Sequence, residues 1–215
     1  MTTENFVITI GRQFGAGGRE LGRTIAHKLG IAYYDKELLV EAAKEAGVSP
    51  EFFEKADERF PSFISGLFSF NLGSNPISYY AGSTSISDDS IYKAQCDVIR
   101  SLASRGSCVI VGRSADYVLR DHPKVANIYV HAPIDVRCRR IIDRSGDSDT
   151  CQNLARVRSQ AERTDKLRAN YYNFYTDKRW GDARSYDLTL DSSLLPMDAL
   201  ADVVIAYIKA RWGMV

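Results

Sequence analysis

No apolar run in these 215 residues approaches the length that spans a bilayer, and residues 1–5 carry no signal-peptide pattern. A cytoplasmic protein with no membrane partner is the expectation. Charge of one sign is missing too: 28 Lys and Arg against 27 Asp and Glu leave a formal net charge of +1, no basis for a nucleic-acid surface. The only cysteines are Cys96, Cys108, Cys138 and Cys151, and none belongs to a CxxC pair or a His/Cys cluster. They read as reduced thiols, which excludes a disulfide framework or a zinc centre as the organising principle. His27, His122 and His131 are isolated, and Ser114 has no base arranged beside it, so these residues are assigned no chemistry. No internal repeat is present. What remains is an ordinary composition, 45% hydrophobic and 26% charged, long enough for one substantial core with a small insert.

The informative stretch comes first. Phe6-Val7-Ile8-Thr9-Ile10 is a short apolar strand, Gly11 to Glu20 a glycine-rich turn, and the residues after it a helical run. Glycines let the backbone curl until several N–H groups face one point, and a helix N-terminus adds partial positive charge. Such a turn suits the phosphates of a nucleotide, as in a P-loop. The lysine and hydroxyl residue expected after the last glycines are missing, and Arg19 and Glu20 stand there.

Further along, Leu21, Thr24, Ile25, Lys28 and Leu29 recur at helical spacing, and Gly30 suits a C-cap. Residues 31–35 read as a second strand ending in Asp35, and residues 36 to about 58 as helical, with Ser49-Pro50-Glu51 as a cap. Residues 61–90 are rich in Ser, Gly, Asn, Phe and Tyr, which fits a flexible or partner-covered segment or an aromatic substrate loop. A helix is expected over 91–103. An unbroken apolar strand follows over 107–111, closed by Gly112-Arg113, then a helix over 114–119. Strands at 125–130 and 186–191 and helices opening at Ala132-Pro133-Ile134-Asp135 and Pro196 complete the pattern. Alternating strands and helices imply an α/β domain with a mainly parallel sheet. In such sheets ligands sit at the carboxyl ends of strands, where the glycine turn, Asp35 and Arg113 all fall.

The chain resembles the cytidylate kinase-like family of nucleoside monophosphate kinases. The likeness rests on Ile10-Gly11-Arg12-Gln13 with the glycine turn, Leu29 to Asp35, Val109-Ile110-Val111-Gly112-Arg113, and Trp180-Gly181-Asp182 with Tyr186-Asp187-Leu188. The resemblance implies a single domain over residues 1–215 with the P-loop NTPase-type three-layer fold. It also implies a five-stranded parallel sheet, a helical substrate-binding insert at 36–105 and an Arg-rich lid at 142–182. It implies a kinase using ATP and Mg2+ on a nucleoside monophosphate or other small acceptor. The chain departs from true cytidylate kinases where those carry Gly-Lys-Ser/Thr, at Gly17-Gly18-Arg19. It also has Glu41 where they place an acceptor arginine, and Gly112-Arg113-Ser114 in place of Gly-Arg-Asp. These departures leave a second reading open, a catalytically weakened nucleotide-binding sensor or partner protein.

Phosphoryl transfer needs two anionic substrates held in line, with cations where charge spreads in the transition state. The amides of Gly15, Ala16, Gly17, Gly18 and Arg19 are the candidate phosphate cradle. Arg19 is the candidate replacement for the lysine and Arg12 the alternative. Glu20 is either a magnesium ligand, directly or through water, or an acid favoured by the helix dipole. Asp35 is a candidate for metal or acceptor positioning. Arg113 closes a wholly apolar strand, where a charge is costly unless a substrate phosphate pairs with it. Arg137, Arg140 and Arg144 share one helix face, and Arg163 and Arg168 flank Asp165; some should close over the transferred group. By the resemblance, Asp165 and Arg168 match acceptor-nucleotide positions. The aromatic run 170–175 either stacks on a base or serves packing or a subunit contact, leaving a homo-oligomer open.

Overall fold

Five strands, all parallel, run in the order β2-β3-β1-β4-β5 through a computed structural model that describes residues 5–35, 88–145 and 150–214. The strands are β1 (Val7–Arg12), β2 (Ala32–Tyr34), β3 (Cys108–Val111), β4 (Val125–His131) and β5 (Leu188–Asp191). The helix expected from 36 to about 58 lies outside the described residues, as does the aromatic segment up to residue 87. Of the insert at 36–105, the described part is helix α2 (Asp88–Arg105).

The most apolar segments occupy the centre of the sheet. Ile8 of β1 stands opposite Val109 on one side and Ala126 on the other, and Val7, Ile8 and Ile10 are fully buried. Both faces of these strands are covered, so they show no alternation. One face packs under α1 (Gly18–Leu29) and the C-terminal helix Met197–Trp212. There Ile10, Leu21, Ile25, Ile128, Leu200, Val204 and Ile208 form one core. The other face carries Val7, Ile99, Leu102, Cys108 and Ile110 under α2 and the single turn α3 (Ala115–Val118). Helix, sheet and helix give three layers. Gly30 ends α1 in the left-handed region (φ 63°), its N–H donating back into the last turn, as its place in the sequence requires.

The helix expected over 114–119 is the turn α3, with Ser114 as its N-cap and Leu119 as its C-cap, and Gly112, Arg113 and Ser114 lead into it with positive φ, at 82°, 64° and 50°. One element differs from expectation. Residues 150–175, polar and without an assigned element in the sequence, form one helix, α5 (Thr150–Tyr175), packed beside α4 (Ile134–Ser145). The last helix is α6 (Met197–Trp212).

Strand order decides where the site lies. From β1 the chain crosses to β2 on one side, and from β3 it crosses back to β4 on the other. The ends of β1 and β3 therefore flank a crevice at the reversal point, where open α/β sheets hold ligands.

Candidate functional site

The turn after β1 is held from behind, and some of its amides are spent within the protein: the Gln13 N–H donates to the Val130 carbonyl at 3.0 Å and the Ala16 N–H to the Gln13 carbonyl at 3.3 Å. The Arg137 guanidinium donates to the Phe14 carbonyl at 3.1 Å and to Asp165 Oδ2 at 2.6 Å, and the other Asp165 oxygen accepts the Phe14 N–H at 2.7 Å. The Ala16 carbonyl accepts from Ser192 Oγ at 2.7 Å and from Arg140 at 3.4 Å. Gly17 opens α1 in the left-handed region (φ 84°), and no side chain caps this helix. An uncapped N-terminus leaves donors for an anion.

Between the ends of β1 and β3 lies a cavity of about 150 Å³, whose lining includes Gly11, Arg12 and Arg19 but not Gly15, Ala16, Gly17 or Gly18. Arg12, Arg19, Arg113 and Arg168 line it together. Arg168, on α5, donates to the Arg12 carbonyl at 3.1 Å and lies over the Phe14 ring, 5.6 Å from its centroid. Burial lowers its pKa to about 10, against the opposing pull of Asp165. Arg12 is pushed well below the ordinary arginine value, first by burial and then by repulsion from Arg168, Arg113 and Arg19. A crowd of guanidinium groups this close is costly without an anion between them.

The opposite wall is aromatic and includes Tyr171, Tyr172, Trp180 and Tyr186. Asp116, the acidic member of the lining among the described residues, accepts the Tyr172 hydroxyl at 2.6 Å. An acid thus reaches the cavity from two positions beyond Ser114, where true cytidylate kinases place theirs. Burial raises the Asp116 carboxyl above its ordinary value of 3.8. For an acid shifted upward the unfolded chain loses its proton first, so this group's contribution to stability falls as pH rises from about 4 through the raised folded value. Asp116→Asn should remove that decline, measured as the difference in Tm between variant and parent from pH 4 to 7.

The remaining candidates are dispersed. Arg113 and Arg168 face the cavity; Arg163 is exposed on α5 and outside its lining. Arg137 and Arg140 hold the back of the turn, Arg140 also donating to the Ser192 carbonyl at 2.7 Å. Asp165 sits there with them. Asp35 is buried at the end of β2, accepting from Arg23 at 3.3 Å and from the Tyr33 hydroxyl at 3.2 Å, and does not line the cavity. Glu20 is exposed in the first turn of α1 and pairs with Arg144 at 2.9 Å. Among the described residues no group of three or more His, Cys, Asp or Glu could hold a metal. One carboxylate beside the phosphates is enough for a magnesium ion that keeps its waters; Glu20, the first-turn acid, is engaged by Arg144 and lies outside the cavity lining. Sequence reasoning missed Gln95, Asp116, Trp180 and Tyr186 as cavity residues. Of these, Trp180 and Tyr186 were visible only as resemblance motifs. In the aromatic run, Tyr171 and Tyr172 face the cavity, Tyr175 stacks on Tyr92 at 4.1 Å and Phe174 is exposed.

No helix among the described residues is long and apolar enough to cross a membrane. The chain is 26% identical over 199 residues to a cytidylate kinase of Methanosarcina barkeri, covering 89% of this chain and 93% of the relative. A crystal structure of an uncharacterized protein from Eubacterium ventriosum superposes with TM-score 0.67 at 26% identity, over 95% of this chain and 99% of that one. A gluconokinase from Sinorhizobium meliloti shares the fold at TM-score 0.52 and 18% identity, over 97% and 94% of the two chains. Residues 7–194 match the cytidylate kinase-like family, and the chain, with its five-stranded parallel sheet, belongs to that family.

Proposed function

We propose that this protein is an ATP-dependent phosphotransferase that moves the γ-phosphate to a nucleoside monophosphate or other small acceptor held in the arginine-lined cavity. The observation that carries this reading is the shared boundary: Arg12 and Arg19 belong to the glycine-turn segment and also line the cavity entered from the end of β3. Donor and acceptor bound on either side of that boundary would meet with cations between them. An acceptor oxygen bonds to the γ-phosphorus, the bond from that phosphorus to the β,γ-bridging oxygen breaks, and ADP leaves with the electron pair. Any acceptor hydroxyl proton passes to solvent. Turn amides hold the donor phosphates, and Arg113 and Arg168 receive the charge that spreads over the transferred group. Glu20 would hold Mg2+ through water, and the ion would neutralise phosphate oxygens.

The test is ADP formation with ATP, magnesium and a panel of nucleoside monophosphates and sugars. Acceptor-dependent ADP is expected, and an Arg19→Ala, Arg113→Ala double variant should lose it. A rate no higher than that of the double variant overturns the reading. The alternative of a weakened nucleotide-binding sensor is favoured by Gly18 in the lysine position and by the engagement of Glu20 with Arg144. Tight ATP binding in calorimetry without turnover on any acceptor would select it.

A further inference from the structure

We infer that Arg12, not Arg19, takes the place of the absent lysine, and that its side chain spans from the glycine turn to the turn after β3 so that one guanidinium serves both substrates. This rests on the kinase reading above and assigns a contact within it. The position of the Arg12 stem is fixed by Gly18: a Cβ added at residue 18 would lie 2.6 Å from Arg12 Cβ and 2.9 Å from Cγ. The stem therefore fills the space that any side chain at 18 would enter. The head is fixed by Gly112, whose added Cβ would lie 2.9 Å from Arg12 Cζ and 3.1 Å from Nη2, and closer still to Nη1.

Two glycines, one in each turn, thus make room for one arginine. Losing a lysine at 18 and holding an arginine at 12 are two halves of one arrangement, because the two side chains exclude each other. Arg168 donates to the Arg12 carbonyl and secures the backbone from which this side chain leaves. The Arg12 guanidinium makes no hydrogen bond among the described residues, although burial and three neighbouring arginines oppose its charge. Five donors in a cation-rich cavity call for an anion with several oxygens, which a polyphosphate supplies. Arg19 also lines the cavity, but it is exposed and no glycine is shaped around it.

The experiment measures ATP affinity by calorimetry at fixed ionic strength, with melting temperature recorded for every variant. Arg12→Gln and Arg12→Met both keep the stem and remove the charge. Each is expected to weaken ATP binding about 10- to 100-fold, the range for hydrogen bonds to a charged group. Arg19→Gln should weaken it less than about 5-fold, as for an exposed charge. Gly18→Lys alone should lose both Tm and affinity through collision with Arg12. The double variant Arg12→Gly, Gly18→Lys should regain affinity by restoring an ordinary lysine. Parental affinity in folded Arg12→Gln or Arg12→Met would overturn the assignment. So would a tenfold or greater loss in Arg19→Gln, or a folded double variant no better than Gly18→Lys. Wild-type protein that binds no ATP at millimolar concentration would instead remove the kinase reading itself.

Discussion

Arg168→Met should lower turnover by about a thousandfold while leaving the melting temperature unchanged or higher. The two halves of this expectation have one cause. Arg168 reaches the cavity from α5, and burial with repulsion from Arg19 and Arg113 holds its pKa down to about 10. A base whose folded pKa is lowered is charged at neutral pH at a cost to the folded state. Methionine keeps the stem over the Phe14 ring and removes that cost, offset by loss of the bond to the Arg12 carbonyl. Turnover is different, because a cation placed on the transferred group acts only where charge is developing. Thermal melting and steady-state assays with the acceptor found in the panel decide the matter. A marked fall in Tm with normal turnover would make Arg168 a structural residue.

Asp165→Asn is expected to cost about 3–5 kcal/mol, a drop in Tm of roughly 10 °C. The Asp165–Arg137 pair is largely buried, with side-chain exposures of 13% and 7%, so removing the carboxylate charge leaves the guanidinium with only the Ala132 and Phe14 carbonyls and no counter-charge. The same carboxylate accepts the Phe14 N–H, so the glycine turn should loosen and ATP affinity should fall along with stability. Replacing both partners by Arg137→Met with Asp165→Leu should recover much of the stability, since paired apolar groups leave no stranded charge. ATP affinity should stay low in that double variant, because the Phe14 carbonyl and amide remain unpaired. Normal Tm with raised acceptor KM in Asp165→Asn would instead place Asp165 on the acceptor, the role that the resemblance implies.

Much of the frame was legible because its causes are local. Val7 to Ile10, interrupted only by Thr9, and Cys108 to Val111 are short apolar runs bounded by turn residues, as strands buried on both faces use. Gly30 sits where a helix of that periodicity must end. The glycine turn and Arg113 were legible because glycine clusters and charges at the close of apolar strands have few structural uses. The helix α5 was hidden for the opposite reason. It turns Val157, Ala161, Leu167 and Tyr172 inward, but the same surface also carries Thr164 and the polar Asp165 and Arg168 that serve the turn and the cavity. A function-bearing face erases the periodicity by which a helix is found. Arg137 and Arg140 were legible as a charged pair, but whether they faced a ligand or the back of the turn depends on partners distant in the chain, Asp165 and Ser192, which spacing cannot supply. Arg12 and Asp116 illustrate the same limit, since the meaning of each depends on a glycine or a tyrosine distant in the chain.

The gathering of four guanidinium groups around one small chamber has a practical consequence for handling the protein. Any oxyanion in the solution will be drawn there, so sulfate or phosphate in a purification buffer becomes a competing occupant. Thermal shifts recorded in such buffers would report the salt, whereas amine buffers such as Tris with chloride leave the chamber to the molecule under study.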